Sequence, residues 1–279
     1  MSRRLNLFAI LRSRNKGLII LLLSLLLFSG CSRLQGGITV AGSTSVQPFA
    51  ELLAEEYMNL HPEININVQG GGSSAGILAT ISGAADIGMS SRELTGEETA
   101  LWSVPIAIDG LALIVHPSNP IKGLSLAQAR EIYAGNIKNW NEIGGSKEII
   151  HLVTREEGSG TRDAFQKLVM GKEDIALTAI VQDSNGAVRE VVANDPAAIG
   201  FLSLGLVNER VKALEIDGIA ATKENIINSS YGLFRRFLFL TREVPTGEIK
   251  QFIEFTLSAE GQNLLSNEGL ISINAGAGK

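Results

Sequence analysis

One local pattern constrains the fold of this chain more than any other: a strand-like run ends, a cluster of Gly, Ser and Thr turns the backbone, and a helix-like run begins. It occurs at Gly42-Ser43-Thr44-Ser45, at Gly70-Gly71-Gly72-Ser73-Ser74-Ala75-Gly76 and at Arg155-Glu156-Glu157-Gly158-Ser159-Gly160-Thr161. Around these junctions strand and helix patterns alternate with no long linker, repeat or low-complexity tract, which is the signature of an α/β fold. Ile38-Thr39-Val40 reads as a strand, and Val46, Phe49, Ala50, Leu53 and Tyr57 recur at helical spacing until Pro62. Ile64, Ile66 and Val68 alternate with polar residues, as a half-buried strand does. Ile77, Leu78 and Ile81 mark a second helix up to Gly83, and 85–89 and 106–116 read as strands. Further on, 149–154 reads as a strand and 162–170 as a helix with Phe165, Leu168 and Val169 inward.

At such a junction the first N–H groups of the helix are unpaired and carry partial positive charge, Gly lets a ligand approach the backbone, and Ser or Thr adds a hydroxyl. One junction alone is an ordinary helix cap. Three of them, with Ser90-Ser91-Arg92 at the end of another strand, would make a cage of neutral donors and Arg for a small oxyanion if their ends converge.

The start of the chain belongs to no such pattern. Arg3, Arg4, Arg12, Arg14 and Lys16 precede the apolar run 17–28, which is short for a membrane span and ends in Phe28-Ser29-Gly30-Cys31. This reads as an export signal over 1–30, and the single Cys after two small residues resembles the lipobox of bacterial lipoproteins. In that family Cys31 would be lipidated and become the mature N-terminus, with 31–37 as a tether and the folded part anchored on the extracytoplasmic face of the membrane. Without the leader the chain carries 19 Lys+Arg against 29 Asp+Glu, a formal charge of −10. That balance excludes nucleic acid as a natural partner. It also means that an anionic ligand must be held by local donors against an unfavourable overall field.

Other motifs compete for the same residues. Gly72-Ser73-Ser74-Ala75-Gly76 fits G-x-S-x-G and would make Ser74 a nucleophile with His116 or His151 as base, the enzyme alternative for this chain. Gly70-x-Gly72-x-x-Ala75 fits a relaxed dinucleotide fingerprint, but no acidic residue is clearly placed at the end of the next strand. No Lys follows a Gly loop, which excludes a P-loop, and three His with one exported Cys leave no convincing metal set.

The residues resemble a known family over essentially the whole mature chain. Ala41-Gly42-Ser43-Thr44, Gln69-Gly70-Gly71-Gly72-Ser73-Ser74, Ala85-Asp86-Ile87-Gly88-Met89-Ser90-Ser91-Arg92, Ile132-Tyr133-Ala134-Gly135-Asn136-Ile137-Lys138-Asn139-Trp140 and Ala198-Ile199-Gly200-Phe201 carry the likeness, with Arg155-x-x-Gly158-Ser159-Gly160-Thr161 the most specific. They are similar to the phosphate-binding lipoproteins of bacterial ABC transporters, the PstS family, of the type II periplasmic-binding-protein fold. The resemblance implies an α/β fold of two lobes with two hinge crossings and a ligand cleft between them, near 107–115 and 231–240. Lobe one would take 38–109 and 235–279, and lobe two 110–234.

It further implies phosphate contacts from Thr44, Ser45, Ser73, Arg155, Ser159, Gly160 and Thr161. The receptor would be a non-enzymatic monomer without cofactor or metal that delivers inorganic phosphate to ABC permease subunits. Two positions depart from the family pattern. Ser45 stands where members carry Phe, and Ser91 stands where well-known members have the Asp that accepts the proton phosphate has and sulfate lacks. Our expectation is that Asp109 supplies the missing acceptor, balanced by Arg92. The substitution at position 91 also keeps open a receptor for another tetrahedral oxyanion such as sulfate.

Overall fold

The computed structural model describes residues 37–276, so the expected export leader, Cys31 and all but the last residue of the expected 31–37 tether lie outside the described residues. In chain order β1 (Ile38–Gly42), α1 (Gln47–Leu60), β2 (Ile66–Gly70), α2 (Ser73–Ser82) and β3 (Ile87–Ser90) come first, and β4 (Trp102–Val115) follows. Next are β5 (Gly123–Leu124), α3 (Leu126–Tyr133), β6 (His151–Arg155), α4 (Gly160–Phe165), β7 (Ile180–Gln182), α5 (Asn185–Asn194) and β8 (Ala198–Ser203). The chain closes through β9 (Lys212–Ala213), β10 (Glu215–Ile216), α6 (Lys223–Ile227), β11 (Phe234–Thr241), α7 (Gly247–Leu257) and α8 (Ala259–Asn267).

A nine-stranded sheet runs in the order β2-β1-β3-β11-β4-β8-β6-β7, with β9 added on β4. β1 is parallel to β2 and β3, and β6 is parallel to β8 and β7, so each end of the sheet is an α/β unit. β4 joins the two units. Over its first part it pairs antiparallel with β11, and from Leu111 to its end it pairs with β8. The return crossing runs beside it, with Leu233 accepting from the Leu111 N–H and Arg235 in register with Asp109.

Each unit has its own core. In the first, the α1 stripe Phe49, Leu53 and Tyr57 is buried against Met89, Phe237, Phe239 and Phe252. In the second, Tyr133, Trp140, Phe165 and Phe201 form the centre, and the Phe165 and Phe201 rings stack with centroids 4.0 Å apart. This is the two-lobed α/β architecture expected from the sequence.

Three expectations change in detail. β4 begins at Trp102 rather than Ile106, because Pro105, which has no N–H to give, sits where the β4–β11 register shifts. The helix expected over 162–170 starts at Gly160 and passes at Gln166–Met170 into a π turn, which leaves Leu168 half-buried and brings Met170 inside. Leu78 and Ile81 do not face the core, being 65% and 45% exposed. α2 instead packs through Gly76, Ile77 and Thr80, and so closely that a Cβ on Gly76 would stand 2.6 Å from Gly42 Cα. Backbone proximity decides that orientation, and an apolar stripe does not record it.

Candidate functional site

The junctions converge. The Gly71 and Gly72 N–H groups both donate to the Gly42 carbonyl, at 2.8 and 3.0 Å, and the Ser43 N–H donates to Met89 O at 2.9 Å. These bonds bring the ends of β1, β2 and β3 to one point. There Ser43 Oγ donates to Ser91 Oγ at 2.9 Å, the Ser91 N–H donates to Ser73 Oγ at 3.1 Å, and all three side chains are buried.

The second lobe meets this point through the end of β6 and the start of α4. Arg155, only 1% exposed, uses Nε and Nη2 as a fork on Glu156 at 2.8 Å each, and Nη2 also donates to Thr44 Oγ1 at 3.1 Å. Ser45 Oγ and Thr161 Oγ1 lie 2.7 Å apart across the cleft, and the Ser74 N–H donates to Gly158 O at 3.0 Å. Gly160 has no room for a side chain: a Cβ there would come 2.5 Å from Ser91 Oγ and closer still to Ser73 Oγ. Ser159 caps α4, accepting from the Arg162 N–H at 3.3 Å.

Asn185, at the start of α5, was not expected here. With its amide oxygen turned toward the cage it accepts from Arg155 Nη1 at 3.0 Å and lies 2.9 Å from Ser45 Oγ. Hydroxyls, helix-start N–H groups and a guanidinium held at fixed angles are the donor set a small tetrahedral oxyanion requires.

Arg92 and Asp109 depart from the expected pairing. Arg92 is spent on two carboxylates, with Nη1 and Nη2 on Glu98 at 2.7 and 2.8 Å and Nε 2.9 Å from Asp163 of the other lobe. Its hydrogen bonds hold the Glu98 carboxyl down at about 2. The group that balances Asp109 is Arg235, whose Nε and Nη2 donate to Oδ2 at 3.1 and 3.0 Å, while Ser203 Oγ donates to Oδ1 at 2.6 Å. Burial pushes the Asp109 carboxyl up, and Arg235, Ser203 and the Gly205 N–H pull it back. Both its oxygens are already accepting, so Asp109 is not a free proton acceptor facing the cage.

Ser74 receives Arg92 Nη2 at 3.2 Å. His116 and His151 are engaged with Ser118 and Asp195, at 2.7 and 2.6 Å.

Comparison with known proteins places the chain in a family. A family model described as a PBP superfamily domain matches residues 30–260. The phosphate-binding protein PstS of Bacillus subtilis is 33% identical over 250 residues, covering 88% of this chain and 83% of that protein. The chain belongs to the PstS family. A Clostridium perfringens protein crystallised with bound phosphate, described as a phosphate ABC transporter substrate-binding protein, is 42% identical with a TM-score of 0.83. That match covers 85% of this chain and all of the other. An ABC-type phosphate transport receptor from Vibrio cholerae is 41% identical with a TM-score of 0.70, covering 84% and 99%.

Within this PstS-family chain, Asn185, Ser203 and Arg235 join the candidate site without having been expected, and Ser43, part of the first junction, joins it as the partner of Ser91. Gln182-Asp183-Ser184-Asn185-Gly186 is a fourth strand-to-helix junction of the same design, and the Ser184 hydroxyl caps α5. Arg235 alternates in phase with the buried Phe237 and Phe239, a placement that marks a charge facing inward.

Proposed function

We propose that this PstS-family chain is an extracytoplasmic, non-enzymatic receptor that binds inorganic phosphate in the cage between its lobes and delivers it to an ABC importer. The observation that carries this reading is the convergence of three Gly/Ser/Thr junctions and Arg155 on one buried point. The phosphate-bound Clostridium perfringens structure and the Bacillus subtilis relative support it. Thr44, Ser45, Ser73 and Ser91 hold the anion from lobe one (38–109 and 235–279), and Arg155, Ser159, Gly160 and Thr161 hold it from lobe two (110–234). For Ser159 the donor is its hydroxyl, because capping α4 uses only a lone pair of that oxygen while the Ser159 N–H already donates to Glu156 O at 3.3 Å.

A ligand that touches both lobes favours the closed form, and that form is what the permease subunits recognise. Arg92 adds to closure by bridging Glu98 and Asp163. Ser91 accepts from Ser43 and gives its own proton to Ser73 Oγ, 3.3 Å away, which leaves its second lone pair for the ligand's proton. The receptor acts as a monomer held at the membrane by lipid on Cys31. The hydrolase alternative lacks a base, because Ser74 has Arg92 as its partner and a guanidinium does not take a proton.

The test is calorimetric titration of the full chain in detergent, stripped of endogenous anion, with phosphate and then sulfate. Phosphate is expected to saturate one site, with sulfate at least about 100-fold weaker, a difference of about 2.7 kcal/mol. Comparable affinity for both anions would overturn the phosphate assignment in favour of a general oxyanion receptor. Ester hydrolysis abolished by Ser74→Ala would overturn the receptor reading in favour of the enzyme.

A further inference from the structure

One charged group at the cage is buried without a full set of partners. Arg235 is 7% exposed, and its Nη1 is buried with no hydrogen-bond partner. A guanidinium presents two edges, one formed by Nε with an Nη and one formed by the two Nη groups. The first edge is filled, since Nε and Nη2 both donate to Asp109 Oδ2. The second edge faces the cage, because Nη2 also donates to Ser45 Oγ at 3.2 Å and Ser45 is the residue that meets Thr161 across the cleft.

We propose that Arg235 is a second cationic ligand residue of the cage, donating from Nη1 to an oxygen of the bound anion, and that Asp109 positions it. The assignment rests on the phosphate-receptor reading. Asp109 and Arg235 are register partners on the two strands that cross between the lobes, and Ser203 holds the other carboxylate oxygen. The guanidinium is therefore fixed in plane and angle before any ligand arrives. Arg155 lies near enough for its charge to act against that of Arg235. An oxyanion between them relieves this repulsion and gives the buried Nη1 its acceptor.

The test is a double-mutant cycle on phosphate affinity, using the full chain in detergent with wild type, Asp109→Asn, Arg235→Gln, the double variant, and Arg235→Lys. Thermal unfolding without phosphate is read in parallel. Loss of a charge-assisted hydrogen bond predicts that Arg235→Gln weakens phosphate about 10- to 100-fold. Asp109→Asn is expected to cost affinity only while Arg235 is present, which a merely structural role would not produce. The double variant removes the buried charges together, so its unfolding temperature recovers toward wild type while its affinity stays low. Arg235→Lys should recover part of the affinity, and it stands in for Arg235→Gln if that variant does not fold. A folded double variant that binds phosphate within about threefold of wild type would overturn the assignment, that change being under 1 kcal/mol. A wild type that takes up no phosphate would instead remove the receptor reading itself.

Discussion

Replacing Arg155 by Gln is expected to abolish tight phosphate binding while leaving the lobes folded. Its guanidinium, like that of Arg92, spans both sides of the cleft, forked on Glu156 and reaching Thr44 of the other lobe. Each charge-assisted hydrogen bond contributes about 1.5–3 kcal/mol, so loss of two predicts a weakening of about 100-fold or more. The fold should survive, because the orphaned Glu156 carboxylate is 28% exposed and can turn to water. Lys should rescue poorly, since an ammonium cannot span Glu156 and Thr44 with a planar fork. Calorimetry with parallel thermal unfolding checks both halves. Affinity kept within about threefold of wild type, under 1 kcal/mol, would remove Arg155 from the site.

Gly160→Ala is the second large effect, and it acts on closure rather than on charge. Gly160 is absent from the positive-φ residues, so Ala meets no backbone strain there, and as a better helix former it is tolerated at the start of α4. The added methyl would collide with Ser73 Oγ and Ser91 Oγ, both of the opposite lobe. Ser73 Oγ accepts from the Ser91 N–H and lies 3.3 Å from Ser91 Oγ, which Ser43 holds in turn, so neither oxygen can step aside cheaply. Under the proposed closure of the lobes on the ligand, the collision arises only in the closed form. Unfolding of the ligand-free variant should therefore be unchanged or slightly raised, and phosphate affinity should fall about 100-fold or more, or about 2.7 kcal/mol. Normal affinity in this variant would mean that the lobes do not close on the ligand at Gly160.

Much of this was legible in the sequence, for reasons that can be named. The three junctions stand out because a helix start that must leave room for a ligand uses Gly, and one that must offer donors uses Ser and Thr. The strands and α1 stand out because burial repeats at their own period, as in Phe49, Leu53 and Tyr57. Pairing between charges was not legible. Arg92 lies next to Ser91 in sequence yet is drawn away by Glu98 and Asp163, whereas Arg235 reaches Asp109 from a strand 126 residues later. Only the antiparallel register of β4 and β11 brings that pair together. Asn185 was obscured for a similar reason, because its junction follows β7, a three-residue strand whose period is too short to read.

The most direct measurement is a crystal structure of the protein grown with phosphate. One anion is expected in the cage, within about 2.7–3.2 Å of Arg155, Ser73 and the N–H groups at the start of α4. Ser45 and Thr161 should part to admit it, and Arg235 Nη1 should lie within reach of one of its oxygens. Phosphate bound elsewhere, with Arg155 still turned only to protein partners, would contradict the account.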